Sequence, residues 1–321
     1  MAILIDIVLL VAGFVLLIKG ADFFVDGASS LAKKLKVPSL IVGLTIVAMG
    51  TSAPELAVSV SSALKGSNAL AVSNVIGSNL FNLLIVLGVC SVIRPTSVAD
   101  EVIKRDYPIS IGAAVLFVIF IFNGTVERWE GAVLLACLIA YIIASILAAK
   151  KNINKDEEPP ADFKAWKCAL FIFGGAAGIV FGGNLVVDHA QNIALAAGMS
   201  QALVGLTICA VGTSLPELVT SLTAAKKGEN DMAVGNVVGS NLFNILGILG
   251  VSGLISPITL GADAASSRFD SFILIGASLL AFICCVTGKK ISRIQGGVMT
   301  AAYVAYMAFA IMRNYGIIGG V

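Results

Sequence analysis

The feature that most constrains this chain is the length of its apolar runs. Ten runs extend for roughly 17 to 25 residues, which is enough for a helix to cross the hydrocarbon of a bilayer. Hydrophobic residues make up 58% of the 321 residues and charged residues only 12%, about half the charged share of a soluble domain. The runs are continuous rather than alternating, which favours helices over a barrel. The sequence therefore predicts an all-α membrane protein with ten transmembrane helices.

The predicted spans are divided evenly by one hydrophilic segment. They lie near residues 3–25, 40–64, 70–93, 107–122, 129–149, 165–187, 203–225, 232–255, 269–286 and 294–311. The segment 150–164 contains a run of mixed charges followed by two prolines and is interpreted as a solvated linker. The first span carries Asp6 and no basic flank, so it is interpreted as a retained helix rather than a signal peptide.

The two halves of the chain are copies of each other. Residues 42–95 align with residues 204–257 without a gap, and about 33 of the 54 positions are identical. The same spacing pairs Gly13 with Gly175 and Gly20 with Gly182, so the repeat includes the first span of each half. The sequence predicts a duplicated five-helix unit, with residues 1–149 and 165–321 as the two repeats of one membrane domain and 150–164 as a cytoplasmic linker.

Because five is odd, the second unit must enter the membrane from the opposite side, and the repeats are predicted to be inverted. The positions of lysine and arginine test the orientation independently. With the N-terminus outside, sixteen of these residues fall in cytoplasmic segments and only Lys65, Arg128, Arg268 and Arg313 fall outside. Both termini are therefore expected outside the cytoplasm, and a prokaryotic cell membrane is the expected location.

Each repeat places an ionisable carboxylate inside a predicted span. Glu55 ends the motif Gly-Thr-Ser-Ala-Pro-Glu, and Glu217 ends its copy Gly-Thr-Ser-Leu-Pro-Glu. A charge at that depth is costly and is usually functional. The proline of each motif should break its helix just before it, since it cannot donate a backbone hydrogen bond. Spans 2 and 7 are therefore predicted to be broken.

The oxygen atoms beside each break are suited to hard cations. We expect the break to free the carbonyls of Ala48 and Met49 beside the hydroxyls of Thr51 and Ser52 and the carboxylate of Glu55. The second repeat supplies the same groups from Ala210, Thr213, Ser214 and Glu217. Such an oxygen-only set favours Ca²⁺ or Na⁺. The structural alternative is a proline kink whose glutamate is hydrogen-bonded internally.

The following span of each repeat carries a polar stripe on one helix face. Asn74, Ser78 and Asn82 are spaced four residues apart, and Asn236, Ser240 and Asn244 repeat the spacing. They lie beside Gly-Ser-Asn triplets that are predicted to interrupt spans 3 and 8. The alternative is that these amides and hydroxyls only hold helices together, which is the expected role of the neighbouring Asn79 and Asn241.

The other polar residues suggest no separate site. The six cysteines lie in apolar segments without metal-ligand spacing and are interpreted as small core residues. His189, the only histidine, has no partner for a zinc site. Asp26 and Asp188 lie at span ends, where a solvated carboxylate is expected and a role in a gate is the alternative. A net charge of +2 suggests no nucleic-acid partner, and we expect no cofactor and no obligate protein partner.

Two ionised carboxylates about 5 Å apart would repel each other by roughly 3 kcal/mol at an effective dielectric near 20. We therefore expect a divalent ion, several monovalent ions or protons to compensate the two glutamates. A protein that changes conformation easily only when this charge is compensated would exchange one cation for another.

The doubled Gly-Thr-Ser-x-Pro-Glu and Gly-Ser-Asn-Leu-Phe-Asn motifs resemble the calcium/cation antiporter superfamily, and most nearly its prokaryotic sodium/calcium exchangers. The resemblance covers essentially the whole chain. It implies ten helices around a mid-membrane cluster of ion sites. It also implies alternating access, in which the first span of each repeat moves across a stationary core.

The resemblance also implies roles for individual residues. Calcium would be held by the carboxylates of Glu55 and Glu217 with the carbonyls and hydroxyls of Thr51 and Thr213. Sodium sites would involve Ala48, Ser52, Ser78, Ala210, Ser214 and Ser240, and Asn82 and Asn244 would complete the central cluster. Some relatives carry aspartate at the position of Asn244, so this chain would have two site carboxylates instead of three.

Three functions remain open on sequence alone. The first is a secondary antiporter that uses a sodium gradient to export calcium. The second is exchange of protons for calcium or another cation, since a buried glutamate can also be neutralised by protonation. The third is a passive cation channel, although the sequence contains no run typical of a selectivity filter. An intramembrane enzyme is not expected, because no catalytic spacing appears in the spans.

Overall fold

The computed structural model describes residues 2–66, 68–151, 163–198, 210–261, 264–315 and 317. The described helices are α1 (Ala2–Leu35), α2a (Ser39–Thr51), α2b (Ala53–Leu64), α3 (Asn68–Ile93), α4 (Tyr107–Ile121), α5 (Arg128–Lys151), α6 (Ala165–Ala196), α7a (Ala210–Gly212), α7b (Leu215–Lys227), α8 (Asn230–Ile255), α9 (Ala264–Val286) and α10 (Arg293–Asn314).

The described helices include seven that are long and apolar enough to cross a membrane, or eight when the bent pair α2a and α2b counts as one span. The ten predicted spans are thus not all recovered. Helix α4 has only 15 residues and follows the charged π-helical turn Val102–Asp106. Most of the first half of the predicted seventh span, residues 203–209, lies outside the described residues, as does most of the predicted linker.

Helices α1 and α6 are longer than the sequence indicated. They continue to Leu35 and Ala196, beyond the predicted span ends at residues 25 and 187. Apolar runs mark the part of a helix that lies in hydrocarbon, and the ends of both helices carry polar groups such as Lys33 and Asp188. Hydropathy therefore predicts the span and not the full helix.

Helices α1 and α6 pack along a seam of glycines. A methyl group on Gly20 would lie 2.7 Å from the backbone nitrogen of Ile179, so the two backbones are in close contact. Gly13 lies against Gly182, and Gly27 lies against Cys168. Residues later in α1 contact residues earlier in α6, so the two helices run antiparallel. Small residues permit this approach between membrane helices.

Helices α3 and α8 form the centre of the molecule. In the most apolar 18-residue stretch of each helix, 72% of the residues of α3 and 78% of those of α8 are buried, compared with 17% for α1. A large cluster of buried side chains joins α3 and α8 to α4 and α9, and a smaller cluster joins α1, α6 and α2a. Many large apolar side chains of α1 and α5 are exposed, as expected for surfaces that face lipid.

The predicted interruptions of spans 3 and 8 take the form of π-helical segments instead of breaks. Helix α3 widens at Asn82–Val86 and α8 widens at Phe243–Ile248, and each remains one span. The Gly-Ser-Asn triplets, which the sequence predicted as the interruptions, are α-helical. That prediction was wrong by several residues, because the wide turns begin one turn further along each helix.

Four two-residue strands, which the sequence did not predict, pair between the two halves. Strand β1 (Thr96–Ser97) pairs antiparallel with β4 (Lys290–Ile291), and β2 (Thr125–Val126) pairs antiparallel with β3 (Ile258–Thr259). Each pair takes one strand from each half. Within the described residues, loops of the two halves are thus joined by strand pairing at two places.

Candidate cation site

The two proline motifs lie at helix breaks. Helices α2a and α2b meet at an angle of 49°, and Ser52 between them leaves helical geometry, with φ −83° and ψ 9°. Ser214 has φ −96° and ψ 5° between α7a and α7b. Each break lies two residues before the proline, because proline is well accommodated in the first turn of a helix. The breaks confirm this part of the sequence prediction.

Each break places a glutamate in the first turn of a half-helix. Glu55 lies in the first turn of α2b and Glu217 in the first turn of α7b. The side chains of both are completely buried. The N-terminal end of a helix carries partial positive charge and stabilises a carboxylate there.

The two glutamates accept hydrogen bonds from each other's repeat. The hydroxyl of Ser52 donates to Oε1 of Glu217 at 2.8 Å, and the hydroxyl of Ser214 donates to Oε1 of Glu55 at 3.1 Å. Ser78 of α3 also donates to Oε1 of Glu55, at 3.4 Å, and its counterpart Ser240 is fully buried. The structure therefore brings the motifs of the two repeats into one cluster.

Asn74 and Asn236 hold the broken helices against α3 and α8. Asn74 donates to the hydroxyl of Ser59 at 3.0 Å and to the carbonyl of Glu55 at 3.4 Å. Asn236 makes the equivalent bonds to Ser221 at 2.9 Å and to the carbonyl of Glu217 at 3.5 Å. These bonds correspond to the structural alternative for both amides. The sequence analysis missed Ser59 and Ser221, although both are preserved between the repeats.

The threonine hydroxyls complete the same framework. Thr51 donates to Oδ1 of Asn236 at 3.2 Å, and Thr213 donates to Oδ1 of Asn74 at 3.5 Å. Both threonines thus link the motif of one repeat to the polar stripe of the other. A hydroxyl that donates one hydrogen bond keeps its oxygen lone pairs, so both hydroxyls can still serve as acceptors.

The prediction that the break frees the carbonyl of Ala48 was wrong. That carbonyl accepts the backbone N–H of Ser52 at 3.0 Å, and the hydroxyl oxygen of Thr51 lies 3.3 Å from it. The reason is that α2a continues through Thr51, so Ser52 closes its last turn. In the second repeat, Ala210 begins α7a, and its side chain lies outside the described part of the chain.

Several buried oxygen atoms of the cluster have no hydrogen-bond partner among the described residues. They are Oε2 of Glu55, Oε2 of Glu217, Oδ1 of Asn82, Oδ1 of Asn244 and Oγ of Ser240. Unsatisfied polar atoms are costly to bury, and folded proteins keep few of them. Each glutamate thus uses one oxygen within the framework and leaves the other for a ligand. Ca²⁺ and Na⁺ prefer oxygen ligands. Nδ2 of Asn82 is also buried without a partner among the described residues.

No group of three or more His, Cys, Asp or Glu side chains is close enough to share a metal ion within the described ranges. The cluster contains two carboxylates, in keeping with asparagine at position 244. His189 lies elsewhere, where its Nδ1 is 2.8 Å from Oδ1 of Asp6. Asp26 forms an ion pair with Lys227 at 2.7 Å.

A cavity of about 1380 Å³ adjoins the cluster. Its described lining includes Asn74, Gly77 and Thr213, and also Asp188 of α6 and Arg313 of α10. Arg313 is held by two hydrogen bonds to Asp270, of 2.7 and 3.0 Å. The sequence analysis assigned no role to Arg313 or Asp270, because neither lies in the duplicated motifs.

The described cysteines take no part in the cluster. The five described cysteines are free thiols, so no disulfide forms among them. Cys137 is exposed on α5, which corrects its interpretation as a core residue. Cys209 lies outside the described residues.

Comparison with known proteins identifies the family. Residues 5–147 and 167–312 match the family described as sodium/calcium exchanger protein. The chain belongs to this family. It is therefore a multi-pass integral membrane protein and an antiporter of the Na⁺/Ca²⁺ exchanger family, with bacterial and archaeal relatives.

Two relatives match this chain along nearly its whole length. The protein named as antiporter CaxA of Alkalimonas amylolytica is 39% identical, over 94% of this chain and 98% of that protein. The sodium/calcium exchanger MaX1 of Methanosarcina acetivorans is 33% identical, over 94% of this chain and 97% of that protein.

Solved structures of the sodium-calcium exchanger NCX_Mj match the fold. One, soaked with 2.5 mM Na⁺ and 0.1 mM Ca²⁺, superposes with a TM-score of 0.83 and 30% sequence identity. The match covers 95% of this chain and 98% of that structure. The predicted membership of the calcium/cation antiporter superfamily is thus confirmed.

Proposed function

We propose that this protein exchanges Na⁺ for Ca²⁺ across a membrane by alternating access. The observation that carries the proposal is the pair Glu55 and Glu217, completely buried, each bonded through one oxygen to a serine of the other repeat and each with Oε2 unpartnered. Two buried carboxylates need compensating positive charge. A divalent cation supplies it in one step, and sodium ions can supply it in its place.

The proposed ligands follow from the geometry and the family. Calcium would be bound by the free carboxylate oxygens of Glu55 and Glu217, with the backbone carbonyls and hydroxyls of Thr51 and Thr213. Sodium would use the serine hydroxyls of both repeats and the helix-break carbonyl of the second, and Asn82 and Asn244 would close the centre of the cluster. The proposed sodium ligands are Ser52, Ser78, Ala210, Ser214 and Ser240. Ala48 is left out, because its carbonyl already accepts the backbone N–H of Ser52.

We further propose the ten-helix inverted repeat, with residues 1–149 and 165–321 as its units and 150–164 as the linker. The antiparallel packing of α1 on α6 supports it, since the first helices of the two units then cross the membrane in opposite directions. The reciprocal bonds at the cluster and the two strand pairs also support it. Both termini are proposed to be extracytoplasmic, on the lysine and arginine distribution.

Sodium-driven calcium uptake into proteoliposomes tests the function. Glu55→Gln and Glu217→Gln should each lower the uptake rate at least tenfold, because a neutral amide cannot hold a divalent ion with a single remaining carboxylate. Glu130→Gln is a matched control. Glu130 is also buried, but it accepts the backbone N–H of Glu127 at the start of α5, outside the cluster. Full sodium-dependent transport by either site variant would contradict the proposal.

A second candidate is exchange of protons for calcium. The observation that favours it is the unpartnered Oε2 of each glutamate, which could carry a proton instead of contacting a cation. Calcium uptake driven by a pH gradient with sodium absent would support this candidate. Uptake that follows the sodium gradient at constant pH would support the first.

A further inference from the structure

Two asparagines that are not proposed ligands join α3 to α8 through reciprocal bonds. The side-chain amide of Asn79 donates to the backbone carbonyl of Asn241 at 3.2 Å, and that of Asn241 donates to the backbone carbonyl of Asn79 at 3.4 Å. Both side chains are buried. In this respect the two residues are equivalent.

The backbone carbonyl fixes the orientation of the Asn79 amide. A carbonyl oxygen can only accept a hydrogen bond, so the nitrogen end of the Asn79 side chain must face it. The oxygen end of the same amide then faces away from the carbonyl. This Oδ1 accepts a hydrogen bond from Nδ2 of Asn244 at 3.0 Å.

The bond to Asn79 leaves Asn244 with a defined polarity. Its nitrogen is occupied, and its Oδ1 is buried with no hydrogen-bond partner among the described residues. An asparagine without such a partner could present either its oxygen or its NH₂ group, and an NH₂ group repels a cation. Asn82, the counterpart of Asn244, is in that situation, because neither end of its amide is bonded.

We propose that Asn79 is a positioning residue for cation binding, which orients the amide of Asn244 so that oxygen, and not nitrogen, faces the ion. The inference rests on the proposed function, in which Asn244 contributes to the central cluster. Partners of metal ligands act in this way in other proteins, and their removal typically costs 10- to 100-fold in metal affinity.

The duplicated architecture provides a matched control. Asn241 makes the same side-chain bond to the backbone of the opposite helix as Asn79 does, but its Oδ1 has no partner and orients no other amide. Asn79→Ala and Asn241→Ala therefore remove equivalent bonds between α3 and α8. Only Asn79→Ala also removes the group that orients Asn244.

The test is the affinity of the purified full-length protein for Ca²⁺, measured by equilibrium dialysis with radioactive calcium. Asn79→Ala should raise the Kd about tenfold or more, and Asn241→Ala should change it by less than about twofold. Both variants should lower the Tm, Asn79→Ala by somewhat more, because it also leaves Nδ2 of Asn244 without its partner. Asn79→Leu, which keeps the volume of the side chain, should raise the Kd as Asn79→Ala does and serves if the alanine variant does not fold.

The same measurement in an Asn244→Asp background separates orientation from structure. Both ends of a carboxylate are oxygen, so its orientation no longer matters. The double variant Asn79→Ala with Asn244→Asp should therefore have a Kd no higher than that of Asn244→Asp alone.

Equal losses of affinity in Asn79→Ala and Asn241→Ala would overturn the inference, as would a loss that persists in the aspartate background. Wild-type protein that bound no calcium would instead overturn the proposed function, and the role of Asn79 with it. The two failures are distinguishable, because the first appears only in the comparison of variants.

Discussion

At the scale of single residues, the cluster is held together by hydrogen bonds in which a serine of one repeat donates to the glutamate of the other. Neither glutamate obtains its serine donor from its own motif: Ser214 serves Glu55 and Ser52 serves Glu217. Hydrogen bonds to a charged acceptor are stronger than those between neutral groups. The serines therefore keep one oxygen of each glutamate in place and leave the other available.

We expect Ser52→Ala and Ser214→Ala to weaken calcium binding about tenfold each, since a hydrogen bond to a charged group contributes about 1.5–3 kcal/mol. Calorimetric titration of the purified protein would measure the change. Ser252→Ala is the control, because this buried hydroxyl has no partner among the described residues. Unchanged affinity in both site variants would show that the serine bonds do not position the glutamates.

At the scale of helices, the described fold depends on backbones that approach closely at glycines. Along α1 and α6, glycine contacts recur over most of the helix length, and α-carbons and carbonyls replace side chains at the interface. Loss of side-chain rotamer freedom is small in such an interface, and close packing supplies the attraction. The seam therefore tolerates little added volume.

We expect Gly20→Ala to destabilise the protein, because the new methyl group would lie 2.7 Å from the backbone nitrogen of Ile179. Overpacking of this kind costs about 1–3 kcal/mol. Thermal unfolding in detergent would show a lower Tm. Gly112→Ala in α4 is the matched control. Apart from the adjacent backbone of α4 itself, no described atom lies within 4 Å of its added methyl group, so it should leave the Tm unchanged or raise it. An equal Tm for both variants would contradict the packing argument.

The sequence predicted the elements whose cause is local. Pro54 and Pro216 predict the helix breaks, and duplication predicts that both breaks carry the same groups. The state of the Ala48 carbonyl could not be predicted, because it depends on whether Ser52 closes the last turn of α2a. The π-helical turns at Asn82 and Phe243 were also missed. Tertiary packing decides where a helix widens, and hydropathy does not report it.

At the scale of the whole molecule, the described halves are joined through loops as well as through the cluster. Asp100, just before α4, lies 2.6 Å from Nζ of Lys289 beside β4 and 3.2 Å from Nζ of Lys104. These two lysines hold the pKa of the Asp100 carboxyl below its ordinary value, through hydrogen bonds and charge. Strand β1 lies in the same connection between α3 and α4 as Asp100, and its partner β4 directly follows Lys289.

We expect Asp100→Asn to lower the Tm slightly at neutral pH, by about 2 °C or less, since exposed ion pairs contribute little. A carboxyl whose folded pKa is depressed stabilises the protein above its unfolded pKa of about 3.9, and the contribution is lost as the pH falls through the lower folded value. The Tm difference from wild type should therefore be present at pH 7 and shrink below about pH 4. A difference that did not depend on pH would rule out the ion pair as its source.

The pairing of strands between halves has a consequence for the order in which the chain is made. When residues 1–149 have left the ribosome, β1 and β2 still lack the strands that pair with them, and Glu55 still lacks the hydroxyl of Ser214. The first half therefore enters the bilayer before its buried groups can be satisfied. Its strand pairs and the Ser214 bond to Glu55 can form only as residues 214–291 are synthesised, so a buried carboxylate of the first half waits in the membrane for a donor from the second.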